Sequence, residues 1–240
     1  YLFVRTCHKM YNGHQANVTF SVDTSSMNIV DKFTGVWNTS NGYVSHSFNQ
    51  FIQVDNGTLL GVDHGEGYPT ALVLSKYVSD ISSGNFQSGI ATPCKSLTFM
   101  SLVNDTSIHY NYTGASLGAF EYSDSAYLIA GTKDTDSTAT TRDVFITSMD
   151  KSSGETFTHF YSNYAGTDDS ALTPHLVKTG NNSFILLWSN QGYVYYTAVD
   201  GTGQQVGTTH KMAGNLSDCA PIVSNGKAIW LHGCWKDHSG

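Results

Sequence analysis

One hairpin type recurs along this chain, and the recurrence limits the fold more than any other feature. Phe51–Asp63 (FIQVDNGTLLGVD), Phe120–Thr132 (FEYSDSAYLIAGT), Leu176–Trp188 (LVKTGNNSFILLW) and Pro221–Gly233 (PIVSNGKAIWLHG) each read as strand, short polar turn, apolar strand. A second type follows the first three: Ala71–Gln87, Asp143–Phe157 and Tyr193–Gly207 share a strand, an acidic turn residue and a Ser/Gly/Thr loop. Its fourth member stands at the other end of the chain, where Asn17–Val30 (NVTFSVDTSSMNIV) aligns with VYYTAVDGTGQQVG. Four copies of a four-stranded unit, one of them divided between the termini, predict an all-β fold, a β-propeller. Its ring closes when N-terminal outer strands join C-terminal inner strands.

A single propeller domain then spans residues 1–240, with blades at about 38–112, 113–170, 171–214, and 215–240 plus 1–37. The first-type hairpins are spaced by 69, 56 and 45 residues, long for blades of about 40 to 50. Four blades are favoured, with Ser88–Tyr112 as the largest insertion. A five-bladed ring using Ala91–Val103 as extra strands is the rival count, and a two-sheet sandwich is the alternative arrangement.

Composition fits this reading and excludes others. Charged residues make up 13% of the chain, about half the usual share, which disfavours a helical bundle. A net charge of −7 with 12 Lys plus Arg argues against a nucleic-acid partner. The longest apolar runs, such as Phe184–Trp188, fall far short of the ~20 residues that span a bilayer, so no membrane span is expected.

Asn-x-Ser/Thr sequons stand at Asn17, Asn38, Asn56, Asn104, Asn111, Asn181 and Asn215, which points to a secreted, extracellular glycoprotein. Four cysteines, Cys7, Cys94, Cys219 and Cys234, suit two disulfides in an oxidising compartment, with three pairings open. No charged and apolar leader opens the chain at Tyr1, so a signal peptide is expected to have been removed.

At Val44–Phe51 (VSHSFNQF), Val62–Pro69 (VDHGEGYP), Thr173–Lys178 (TPHLVK) and Leu216–Val223 (LSDCAPIV) the chain resembles a group of secreted proteins with propeller-type repeats. Gly13–Met27 fits the same pattern. The resemblance implies the architecture and no particular activity. A four-bladed ring closed between its termini is similar to hemopexin-type domains, which bind proteins and ligands; none of that family's repeat motifs stands here, so its haem or metal chemistry does not carry over.

The first residues of each inner strand face a propeller's channel entrance. Here they are polar: His46, Asn49 and Gln50, then Ser116, then Thr173 and His175, then Asp218. Such a ring can hold a polar ligand or a structural cation such as calcium, with no other cofactor expected; equally, these groups can tie strand ends together. The segment Asp63-His64-Gly65-Glu66-Gly67-Tyr68-Pro69 packs two carboxylates, an imidazole and a phenol into one loop. Ligand-binding candidates are therefore His46, Asn49, Gln50, Asp63, His64, Tyr68, His175 and Asp218. Aromatics such as Trp37, Trp188, Tyr193 and Trp230 supply sugar-stacking or core surfaces.

Other catalytic patterns fail on context. Gly114-Ala115-Ser116-Leu117-Gly118 matches the G-x-S-x-G elbow, but a strand rather than a helix follows it. Cys7-His8 with His14 lacks a second zinc pair, and the loop of Asp134, Asp136 and Asp143 lacks the glycine and glutamate of an EF-hand.

The leading expectation is a non-enzymatic module that binds glycans or extracellular proteins, with self-association open. Two alternatives stand beside it. One is a glycan-acting hydrolase using Asp63, Glu66 or Asp218 with His46 or His64; the other is a structural subunit of a fibre or coat.

Overall fold

Three carboxylates set the outer turns of three separate sheets, and all three do so in the same way. Asp23 Oδ1 accepts from Ser25 N (2.8 Å), Ser25 Oγ (2.6 Å) and Ser26 N (3.4 Å). Asp150 Oδ1 accepts from Ser152 N, Ser152 Oγ and Ser153 N at 2.6–2.8 Å. Asp200 Oδ1 accepts from Thr202 N, Thr202 Oγ1 and Gln204 N at 2.8–3.0 Å. In each case an acidic side chain stands in for a backbone acceptor and closes the loop between the last two strands of its sheet. This is the acidic turn residue of the second hairpin type, and its threefold recurrence shows that the repeat is structural.

The computed structural model describes residues 1–9, 15–34, 50–65, 71–77, 81–85, 94–101, 115–134 and 141–233. Its contacts fall into two units, residues 1–113 and 114–240. The first unit holds a three-stranded sheet of β1 (Leu2–Lys9), β2 (Gln15–Val22) and β3 (Ile29–Thr34), in that order. A four-stranded sheet follows, made of β4 (Gln50–Asp55), β5 (Thr58–Gly65), β6 (Ala71–Tyr77) and β7 (Cys94–Ser101).

The second unit has two such sheets. One contains β8 (Ala115–Tyr122), β9 (Ala126–Asp134), β10 (Arg142–Asp150) and β11 (Thr156–Phe160). The other contains β12 (Leu172–Gly180), β13 (Ser183–Asn190), β14 (Tyr193–Asp200) and β15 (Gln205–Ala213). Short ladders complete the unit: β16 (Asn215–Leu216) with β19 (His232–Gly233), and β17 (Ile222–Ser224) with β18 (Lys227–Ile229). Among the described residues every strand pairing is antiparallel, and all but β16 with β19 join chain neighbours, the blade plan of a propeller.

Two differences from the sequence reading have local causes. Ala71–Gln87 was expected as one hairpin, yet Ile81–Ser83 forms a single 3-10 turn. The fourth strand is instead Cys94–Ser101, which pairs with β6 and so belongs to the same sheet. Buried Ile81 and the bond from Ser21 Oγ to the Gly84 carbonyl hold the turn in place. At the N-terminus three strands are present rather than two, because Leu2–Lys9 pairs along its length with β2.

Hairpin turns follow the sequence more directly. Asn56-Gly57 and Asn225-Gly226 have φ of 46° and 77°, and 50° and 70°, the left-handed pair that a two-residue hairpin demands. Burial explains the strands. Seven consecutive residues of β9 and seven of β10 are buried, so both faces are covered and the apolar runs AYLIAGT and VFI are required. Trp188, Phe184, Leu186 and Val144 share one core with Leu128 and Ile146.

A tight backbone approach lies between β8 and β12. A Cβ at Gly118 would stand 1.7 Å from the Pro174 carbonyl oxygen. No rotamer relieves a clash with backbone, so Gly118→Ala is expected to destabilise the chain by about 3 kcal/mol or more. Gly154→Ala, with open space but φ of 76°, should cost about 1 kcal/mol. Urea unfolding of the two variants tests the order.

Candidate functional site

In the first unit a buried arginine organises a polar centre. Arg5 lies on β1, and its side chain is 1% exposed. Its Nη2 donates to Asp63 Oδ2 on β5, and its Nη1 donates to Tyr77 OH at 2.7 Å and Thr19 Oγ1 at 3.2 Å. Gly61 makes room, since a Cβ there would meet Nη1 at 2.5 Å. Burial works against the arginine's charge, but Asp63 and Tyr77 more than offset it, and the guanidinium titrates above its ordinary range. Asp63 Oδ1 and Arg5 Nε are enclosed without a hydrogen-bond partner.

Gln50 stands directly opposite Asp63 across the β4–β5 ladder, and His64 follows on β5. The structure thus brings Gln50, Asp63 and His64 to one sheet end by backbone position; the side chains of Gln50 and His64 lie outside the described residues. His46, Asn49, Glu66 and Tyr68 lie outside them altogether.

In the second unit the starts of the inner strands are irregular where polar candidates cluster. β8 shifts register between Leu117 and Ala119, and β12 between Leu172 and His175. Thr173 adopts φ of 49°, a strained value for a β-branched residue. These irregularities meet where Pro174 presses on Gly118. Bulges re-aim the side chains that follow them, and the residue following this one is His175.

His175 is buried, with Nε2 at 2.9 Å from the Ser217 carbonyl. A carbonyl only accepts, so Nε2 carries a proton and donates it to Ser217. Nδ1 is enclosed and has no partner. Asp218, the next candidate, follows Ser217 directly and is exposed. Ser116 Oγ pairs with Thr132 Oγ1 at 2.9 Å. Ala115–Gly118 of the G-x-S-x-G match lie within β8, and Ser116 continues as strand.

Sequence reasoning missed Glu121. It sits on β8, facing Leu128 across the ladder. Burial pushes its carboxyl up to about 7, against a smaller opposing effect of Lys178. Lys178 Nζ lies 3.8 Å from the Tyr122 ring centre, and Lys151 Nζ lies 4.9–5.0 Å from those of Tyr122 and Tyr127. The available signal was a single acidic residue inside an apolar inner strand, ASLGAFEY.

The remaining candidates divide plainly. Trp188 is core, stacked on Tyr195 at 5.5 Å, with its indole N–H given to Tyr164 OH at 3.3 Å. Trp230 packs against the Val177–Leu216 cluster. Tyr193 is exposed, with Lys211 Nζ 4.6 Å above its ring. Trp37 lies outside the described residues.

Asp134 pairs with Arg142, and Asp143 accepts from Ser162 Oγ and Tyr164 N. No group of three metal-ligating side chains occurs among the described residues. Asn56 and Asn181 are exposed in turns, Asn215 is half-buried, Asn17 lies on β2, and Asn38, Asn104 and Asn111 lie outside the described residues. Cys219 is exposed with a free thiol. Cys7 and Cys94 lie on β1 and β7, and Cys234 lies outside the described residues. No helix among the described residues is long and apolar enough to cross a membrane.

Fold and sheet plan together define a β-propeller protein. No family model and no curated protein matches the sequence. Among solved structures, the chain is similar to an alpha-L-arabinanase of Penicillium chrysogenum complexed with arabinobiose. The TM-score is 0.50 at 10% identity, covering 92% of this chain and 70% of that one. It also matches an alpha-L-arabinofuranosidase of Fusarium graminearum in complex with an iminosugar inhibitor, with a TM-score of 0.45 at 13% identity, covering 99% and 72%. The arabinanase likeness counts against the leading expectation of a non-enzymatic module for glycans or extracellular proteins, and that expectation is corrected. Low charge and surface aromatics, which suggested recognition without chemistry, suit a glycan hydrolase equally.

Removing one partner of a buried ion pair strands the other charge. Arg5→Met and Asp63→Asn should each cost about 3–5 kcal/mol, while the double variant Arg5→Met/Asp63→Leu recovers much of the loss. Denaturant melts of the three variants test this. Glu121 has the opposite linkage to a salt-bridged acid. Its folded value of about 7 stands above the ordinary 4.5, so the native state binds the extra proton. Stability contributed by that proton is full below pH 4.5 and is lost as pH rises through 7, by roughly 2–3 kcal/mol. Glu121→Gln should flatten this part of the stability–pH curve.

Proposed function

We propose that this chain is a glycan-acting hydrolase on a propeller scaffold, with arabinose-containing polymers as the first substrates to examine. The observation that carries the reading is the likeness to the arabinanase over 92% of this chain. The sequons add an expectation of secretion and N-glycosylation, which suits an enzyme acting on extracellular polysaccharide.

Glycoside hydrolysis needs one carboxyl that gives a proton to the leaving oxygen and a second that activates water or attacks the sugar. Glu121 meets the first requirement among the described residues. Burial keeps it protonated up to about pH 7, the condition a general acid needs at neutral pH. Asp218, in the same unit, is the candidate for the second carboxylate. Asp63 is better suited to anchoring Arg5, because one of its oxygens is already committed to the guanidinium.

The test is release of reducing ends from linear arabinan and arabino-oligosaccharides. Glu121→Gln should lower kcat about 10²–10⁴-fold on a natural sugar leaving group. It should lower kcat far less on an aryl glycoside whose leaving group departs unprotonated. Full activity of Glu121→Gln on the oligosaccharide removes Glu121 from the mechanism. No release from any glycan by the wild type overturns the hydrolase.

A further inference from the structure

A groove in the second unit has the composition of a sugar-binding subsite, and the chemistry above makes no use of it. It encloses about 520 Å³ and is lined by Ser125, Ala126, Ser148, Asp150, Glu155, Thr156, Phe157 and Thr202, a volume within the ~300–1,000 Å³ of ligand pockets. The wall at Phe157 is aromatic and open. Phe157 is 55% exposed on the outer strand β11 and stands directly opposite Ser148 on β10. A phenyl ring left half in water beside a groove lacks the burial that would justify it as core.

We propose that this groove binds a neutral oligosaccharide, one sugar ring stacking on Phe157 and its hydroxyls bonding to the rim. Each part of the wall suits that ligand. A sugar face is apolar and matches the ring. Ser125 and Thr156 are exposed and carry hydroxyls that both donate and accept, while Thr202 Oγ1, whose proton goes to Asp200, is left to accept.

Charge selects against anionic ligands. Hydrogen bonds from Ser152 and Ser153 hold Asp150 down to about 2, so it is ionised, and Glu155 stands beside it. A uronate or sulfate would meet repulsion here. The frame is rigid as well, because Asp150 and Asp200 close the turns on either side. A Cβ at Gly203 would stand 3.1–3.2 Å from the side chains of Ile146 and Leu128.

The proposal takes its ligand class from the hydrolase reading and nothing else, so the two fail separately. Linear arabino-oligosaccharides, with xylo- and cello-oligosaccharides beside them, are titrated into the full chain and followed by NMR. At least one probe should shift the signals of Ser125, Thr156, Phe157 and Thr202. Phe157→Ala should weaken that probe's binding about tenfold or more, whereas Phe157→Tyr should keep it. Both variants should melt near the wild type, since the ring is exposed.

Phe157-dependent binding supports the subsite whether or not the wild type hydrolyses the probe. Unchanged affinity in Phe157→Ala, or no shift at these residues with any of the three probe series, overturns it.

Discussion

Burial on both faces is the constraint on which the rest of this structure depends. Seven successive residues of β9 and seven of β10 are closed off from water, so no face is left over for polar side chains. Every polar group in such a strand must find a partner inside the protein or cost stability. Asp143, at 2% exposure, is met by Ser162 and by the Tyr164 amide. Arg5 is met by Asp63, Tyr77 and Thr19. The same closeness brings backbone against backbone, and only glycine at 118 admits the Pro174 carbonyl.

This constraint separates two kinds of carboxylate that look alike in sequence. Asp23, Asp150 and Asp200 lie at strand ends, accept from loop amides and hydroxyls, and serve folding. Glu121 lies within a strand, where burial disfavours its charge. An acid in the first group is held as an acceptor, while one in the second is poised to give a proton.

The hairpins were legible because their signals are local. Asn56-Gly57 and Asn225-Gly226 announce left-handed turns, and the acidic residue of the second hairpin type marks the outer turn. Strand β7 was read as insertion because CKSLTFMS follows a buried 3-10 turn rather than a tight loop, and no hairpin signal links it to β6. The candidate site was less legible. His175 was singled out as a channel residue, but its partner is a backbone carbonyl at Ser217, 42 positions away, and backbone acceptors leave no mark in a sequence. Asp63 was noticed for the loop that follows it, yet its partner Arg5 lies 58 positions earlier in a different sheet.

Glu121 shows why function was harder to read than fold. Its residue type is ordinary, and its chemistry comes from an environment assembled by β9 and by Lys178 on β12. Composition pointed toward recognition, since low charge and abundant Tyr, Asn and Thr suit sugar contacts. Recognition and hydrolysis use the same contacts to hold a glycan, however, and hydrolysis adds two carboxyls at the bond, one of them still protonated near neutrality. Holding that proton takes a few kcal/mol of local desolvation at one side chain, a quantity set by packing and invisible in the residue's identity.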